Sequence, residues 1–130
     1  MIGSHAFDYM NVTDKAMDAS YQRLTLLANN LANGDTPTYK RKDIDFQDIF
    51  LRELKKTQQP GVDKAVKHLV TDDLNPKIYT DYSNYSYRID KNNVDPDTEN
   101  VELASEQLRY QTYTSAMNQE IQHFKTAIGS

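Results

Sequence analysis

Leu27-Ala28-Asn29-Asn30-Leu31-Ala32-Asn33-Gly34-Asp35-Thr36-Pro37-Thr38-Tyr39 carries a helix to its end and turns the chain. Asn33-Gly34 predicts a left-handed C-terminal cap, and Pro37 forbids continuation of the helix. Reading back toward the N-terminus, Met10, Met17, Leu24 and Leu31 recur at sevens, with Leu27 and the small Ala6, Thr13 and Ser20 at the other seam position. This is a heptad-like seam on a helix over 4–33, about 45 Å long. Its small and polar members predict weak binding to any one partner.

Reading forward, a second long helix is predicted over 96–128. Asn93 and Asp95 are the candidate caps, Pro96 suits the first helical position, and Asp97 and Glu99 sit near the positive helix end. Val101, Ala104 and Leu108 begin an apolar stripe. Tyr110, Tyr113, Met117, Ile121, Phe124 and Ile128 continue it, the last four spaced 4, 3 and 4 as in a coiled coil. The stripe is wider than one helix covers, which points to partners outside the chain.

The segment between, 34–95, reads as a turn, a short amphipathic helix and a polar remainder. Ile44, Phe46, Ile49, Phe50 and Leu54 suit the helix, which ends before Gln58-Gln59-Pro60-Gly61. Residues 57–81 read as loop. Alternation of Tyr85, Tyr87 and Ile89 with Ser86, Arg88 and Asp90 predicts a short strand. The expected architecture is one mainly α domain over 1–130: two terminal helices in a coiled-coil-like pair, with a partly irregular middle.

Composition excludes several chemistries. The 130 residues include no Cys and no Trp, and only four Gly, at positions 3, 34, 61 and 129. There is thus no disulfide scaffold, thiolate site or Gly-rich phosphate loop. With 15 Lys+Arg against 19 Asp+Glu the net charge is −4, which argues against a nucleic-acid partner. No apolar run approaches the ~18 residues of a membrane span, and Met1–Asn11 lacks the basic start and apolar stretch of a cleavable signal peptide. His5, His68 and His123 have no ligand spacing and read as surface or interface residues. Asn93, Asp95 and Asp97 begin like a calcium loop, but Thr98 and Ala104 stand where Gly and a closing Glu belong, so capping explains them better. Asp43, Asp45 and Asp48 read as a solvated face and Lys40-Arg41-Lys42 as charges flanking a helix. Tyr79, Tyr82, Tyr85 and Tyr87 form an aromatic cluster that suits a satellite core or a protein interface, with carbohydrate stacking as the sharper reading. No acid, base or nucleophile constellation is recognisable, so neither catalysis, a cofactor nor a small-molecule substrate is expected.

The stretch from Leu27 to Arg41 resembles the signature of the bacterial flagellar axial proteins, the rod and hook family. In that family an Asn-Asn-Ile/Leu-Ala-Asn helix end precedes a Thr-Pro-Gly-Tyr-type turn. Lys42-Asp43-Ile44-Asp45-Phe46 is similar to the proximal-rod branch, as are Asp90-Lys91-Asn92-Asn93-Val94-Asp95 and Glu106-Gln107-Leu108-Arg109-Tyr110-Gln111. The resemblance covers about 4–54 and 90–129. Thr38 and Lys91 depart from it, each standing where the family has Gly. The resemblance implies a non-enzymatic rod subunit in the flagellar basal body, exported through the flagellar type III apparatus without a cleavable signal. Implied partners are other rod subunits, the adaptor joining rod to membrane ring, and the ring. It also implies roles: Asn29, Asn30, Asn33, Asp35, Thr36, Pro37 and Tyr39 as the motif and its turn, with the asparagines bonding at the helix end and to neighbours. The assembly seam would be Met10, Met17, Leu24, Leu27, Leu31, Leu108, Arg109, Tyr110, Met117, Ile121, Phe124 and Ile128. Two alternatives stay open: another proximal-rod component of the family, and a peptidoglycan-binding or peptidoglycan-cleaving protein using the tyrosines.

Overall fold

A computed structural model describes residues 2–83 and 88–129, with side chains from Phe7 onward. In chain order come α1 (Ile2–Ala32), β1 (Lys42–Ile44), α2 (Phe46–Lys56), α3 (Val62–His68), a 3-10 turn (Thr71–Asp73), β2 (Ile78–Thr80) and α4 (Pro96–Gly129). α1 and α4, of 31 and 34 residues, pack antiparallel. Phe7 meets Phe124 at one end with ring centroids 5.2 Å apart, and Tyr21 meets Tyr110 at 6.4 Å. The expected mainly α fold with paired terminal helices is therefore present. No helix among the described residues is long and apolar enough to cross a membrane.

The middle of the chain is more ordered than its composition suggests. α2 begins at Phe46 because Asp45 caps it, its carboxylate accepting from the Asp48 N–H at 3.2 Å; Lys55 and Lys56 complement its negative end. Ile44, expected in that helix, lies in β1, which pairs antiparallel with β2 in the register Lys42↔Thr80, Asp43↔Tyr79, Ile44↔Ile78. The loop expected over 57–81 instead contains α3, the 3-10 turn and β2. Ala65, Val66, Leu69 and Leu74 are buried there, so tertiary burial overrides the Pro60, Gly61 and Pro76 punctuation. The Tyr9 hydroxyl on α1 donates to the Asp63 carboxylate on α3. That bond, helped by burial, pushes Tyr9 up to about 12. Of the strand expected over 85–90, residues 85–87 lie outside the described residues, and 88–90 form no strand but run into a turn.

The core is thin. Leu27, Leu74 and Val94 are fully enclosed, with Ile44, Ile49 and Val66 nearly so. On α1 the buried positions are Ala16, Ala19, Ser20, Leu27 and Asn30, while Met10, Met17, Leu24 and Leu31 are half-buried. The inward face is thus rotated from the expected heptad. On α4 the two buried residues are Glu99 and Glu106.

The turn after α1 also differs from expectation. Gly34 is not left-handed; a Cβ there would lie 3.2 Å from the Leu31 carbonyl oxygen and 3.9 Å from Pro96 Cγ. It is the backbone carbonyl at the end of α1 itself that crowds a side chain here; the Pro96 contact is an ordinary one. The left-handed positions near this turn are Thr38 (φ 64°) and Lys91 (φ 63°), the two that depart from the family's Gly. They sit in one hydrogen-bonded joint, where the Thr38 N–H donates to the Asp90 carbonyl at 2.8 Å and Lys40 Nζ to the Lys91 carbonyl at 2.7 Å. A left-handed β-branched residue costs about 1–2 kcal/mol, and glycine's extra unfolded-state freedom returns about 0.5–1 kcal/mol of that. Thr38→Gly should therefore stabilise the chain by up to ~1 kcal/mol, with a smaller gain for Lys91→Gly, read as a raised urea midpoint at unchanged slope. A lowered midpoint for Thr38→Gly would contradict the strain argument.

Candidate functional site

α1, β1 and α4 converge on a cluster of opposite charges. Arg23 projects from α1 and grips Asp43 of β1 with two nitrogens, Nε to Oδ1 at 2.7 Å and Nη2 to Oδ2 at 3.1 Å. The same guanidinium reaches Glu106 at 2.8 Å and Glu102 at 2.8 Å on α4. Ser20 Oγ donates to the other Glu106 oxygen at 2.6 Å, and Arg109 adds a bond to Glu106 at 3.1 Å. Arg41 binds Glu99 through Nε and Asp43 at 3.1 Å. Asn30 Nδ2 donates to the second Glu99 oxygen at 3.2 Å. No buried side-chain polar atom among the described residues lacks a partner, which is the condition for burying such charge.

Burial works against the charges of Asp43 and Arg41, and their pairing outweighs it. The Asp43 carboxyl is held below the ordinary carboxylate value chiefly by the Arg23 bonds, and Arg41 is raised by Glu99 and Asp43. Arg23 is likewise raised, first by Asp43, against the penalty of burial. The carboxylates are directed onto guanidinium groups, and among the described residues no three metal-type side chains are placed to hold an ion.

Beside the charge cluster, amides close the turn. Asn30 pairs with the backbone of Lys42 in both directions, at 2.8 and 2.9 Å, and its oxygen also accepts from the Tyr39 hydroxyl at 3.0 Å. Asn92 Nδ2 donates to the carbonyls of Asn33, Gly34 and Thr36 at 2.8, 3.1 and 2.8 Å, satisfying groups that the end of α1 leaves open. Arg88 bonds Gly34 O and Val94 O, both at 2.9 Å.

Several expected residues take other roles. Asn30 is buried and bonds within its own chain, whereas Asn29, Asp35, Thr36 and Pro37 are exposed. Thr36 bonds the Asn33 side chain at 3.1 Å, and Asn33 Nδ2 bonds the Asn29 carbonyl at 2.8 Å. Asp95 caps α4, accepting from the Asp97 N–H at 3.1 Å. Asn93 is not a helix cap; it accepts from the Arg41 N–H at 2.8 Å and donates to the carbonyls of Asp81 and Ser83. Asp43 is buried rather than solvated, and Lys40-Arg41-Lys42 is built into the joint rather than flanking a helix. Of the expected seam, Leu27 is buried. Met10, Met17, Leu24, Leu31, Arg109, Tyr110, Met117, Ile121 and Phe124 are half-buried, and Leu108 and Ile128 are 65% and 68% exposed. Leu108 and Ile128 are thus not part of a core within the chain. Tyr79 and Tyr82 are exposed, and Tyr85 and Tyr87 lie outside the described residues. Sequence reading missed Arg23, Glu99, Glu102 and Glu106, although the three glutamates repeat at spacings of 3 and 4, a helical face in its own right.

Two outcomes follow from the cluster. Arg23→Met leaves buried carboxylates without their counter-charge and should cost about 3–5 kcal/mol. Glu102→Gln, at a half-exposed position, should cost under about 1 kcal/mol. Equal losses in urea unfolding would contradict this. Because Asp43 is depressed in the folded chain, the stability it supplies is present at neutral pH and lost as pH falls through its lowered value. Stability measured from pH 7 downward should fall less steeply in Asp43→Asn than in the parent; parallel curves would contradict the assignment.

No family model matches the chain. It is similar to proteins named flagellar basal body rod protein FlgB. That of Bacillus subtilis (strain 168) is 31% identical over 115 residues, covering 88% of each chain. That of Escherichia coli (strain K12) is 33% identical over 131 residues, covering 89% of each. That of Borrelia hermsii is 29% identical over 133 residues, covering 90% of this chain and 96% of the relative.

Proposed function

The chain belongs to the family of flagellar basal body rod proteins FlgB, and on that footing we propose that it builds the proximal rod by self-association through its terminal helices. It is a structural subunit of the flagellar basal body rod, not an enzyme. The two alternatives raised from the sequence give way to this reading.

The observation that carries the assembly mechanism is an inversion of the usual helix pair. Buried glutamates of α4 face α1, while Val101, Leu108 and Ile128 of the same helix remain 65–68% exposed. Each such side chain gains about 1.5–3 kcal/mol when fully buried, so neighbouring subunits supply what the single chain lacks. Contacts between unlike surfaces propagate as an open helical array rather than a closed ring. The cross-linked turn joins both helices into one stiff body, which suits a shaft that transmits torque. Partners on this reading are other rod subunits, the adaptor and the membrane ring, reached by type III export from the cytoplasm. Met10, Met17, Leu24, Leu31, Met117, Ile121 and Phe124 line the assembly seam, with Leu108 and Ile128 at its exposed edge.

Leu31→Asp and Ile121→Asp should each abolish rod assembly and swimming while the subunit is still exported. Electron microscopy of basal bodies and export assays check this; normal swimming in both variants would overturn the seam assignment.

A further inference from the structure

An apolar groove opens between α2 and the helix pair. It has a volume of about 380 Å³ and is lined by Val12 and Ala16 of α1, Phe46, Phe50 and Leu51 of α2, and Tyr113 of α4. None of its lining residues carries a formal charge, in a chain that is 26% charged. Phe46 and Phe50 stack at 6.2 Å to form its wall, and Leu51 at its rim is 52% exposed. On a different surface, α4 carries the unpartnered stripe Val101, Ala104 and Leu108, continued by exposed Thr112 and Ser115, again without charge. The stripe has the i, i+3, i+7 spacing with which an amphipathic helix enters a groove.

We propose that the α4 stripe of one subunit docks antiparallel to α2 in this groove of a neighbouring copy. The proposal rests on the rod-subunit reading and names the surface that subunit uses. Three features select a second copy and this orientation. Uncharged stripe meets uncharged groove, so no charge is stranded on docking. Asp97 is exposed at the start of the stripe and Lys55 is exposed at the end of α2; the antiparallel arrangement sets these opposite charges together. It also aligns Val101 with Leu51 and opposes the two helix dipoles. The lengths agree: α2 spans about 16 Å and Asp97–Leu108 about 17 Å. Because stripe and groove are separate surfaces, each subunit donates one and keeps the other available, so the contact repeats without closing.

The absence of Cys makes the test direct. Leu51→Cys and Val101→Cys are combined in one chain, cells are oxidised, and basal bodies are purified. Disulfide-linked dimers and higher ladders of the subunit are expected, with none from either single variant. Rods that contain the subunit but show no such bond, or in which position 51 is linked to a different protein, overturn the docking proposal and leave the rod reading intact. Basal bodies that lack even the unmodified subunit overturn the rod reading and the proposal with it. A second series guards against misfolding: Leu51→Lys and Val101→Glu should each lose incorporation into rods, and the double variant should regain it. Failure of the double variant, with both singles still folded and exported, overturns the proposal.

Discussion

The fold turns on the Arg23 guanidinium. It sits where α1, β1 and α4 meet, and it bonds Asp43, Glu102 and Glu106 at once. The segments it joins lie 20, 79 and 83 residues away along the chain, so it takes the part that a hydrophobic core plays in a larger domain. A chain with so few enclosed apolar side chains cannot hold two helices of this length by burial alone. Charge pairing inside a partly dry joint holds them instead, and it does so only because every carboxylate involved has a partner.

That choice frees the outside of the helix pair. Inward positions on α4 are taken by Glu99 and Glu106, so Val101 and Leu108 face out. In a monomeric protein such a stripe would be a liability; on the proposed reading it is the means of assembly. The same logic explains the stiffness of the turn. Asn30, Asn92 and Arg88 tie the end of α1 to the chain that enters α4, and two left-handed residues other than glycine are held within that joint. A subunit whose helices splay at this point could not present a fixed outer face to its neighbours.

The two long helices, their ends and the Asp95 cap were legible in the sequence, because capping residues and Pro37 act locally. Which face of α4 turns inward was not. Hydropathy marks Val101, Ala104 and Leu108 as the start of an apolar stripe but does not say which face turns toward α1, and only the distant Arg23 and Arg41 make the glutamates acceptable on the inward one. α3 was missed for a related reason: a seven-residue helix has little propensity of its own and exists through the burial of Ala65 and Val66. Asn93 was misread as a cap because its sequence neighbours are capping residues, whereas its partners are Arg41, Asp81 and Ser83. The family turn was readable from Asn29 to Tyr39, yet the inward role of Asn30 depends on the backbone of β1, which no spacing announces.

The central claim is that the charge cluster and amide joint, not an apolar seam, hold the helices of the free subunit together. Hydrogen exchange on the monomer tests it most directly, since protection reports local opening free energy. Amides of residues 20–32 and 99–110, which flank the cluster, should be the most protected in the two helices, with protection falling away toward residues 7–12 and 117–129. Uniform protection along both helices, or greater protection around Phe7 and Phe124 than around Arg23 and Glu106, would contradict the account.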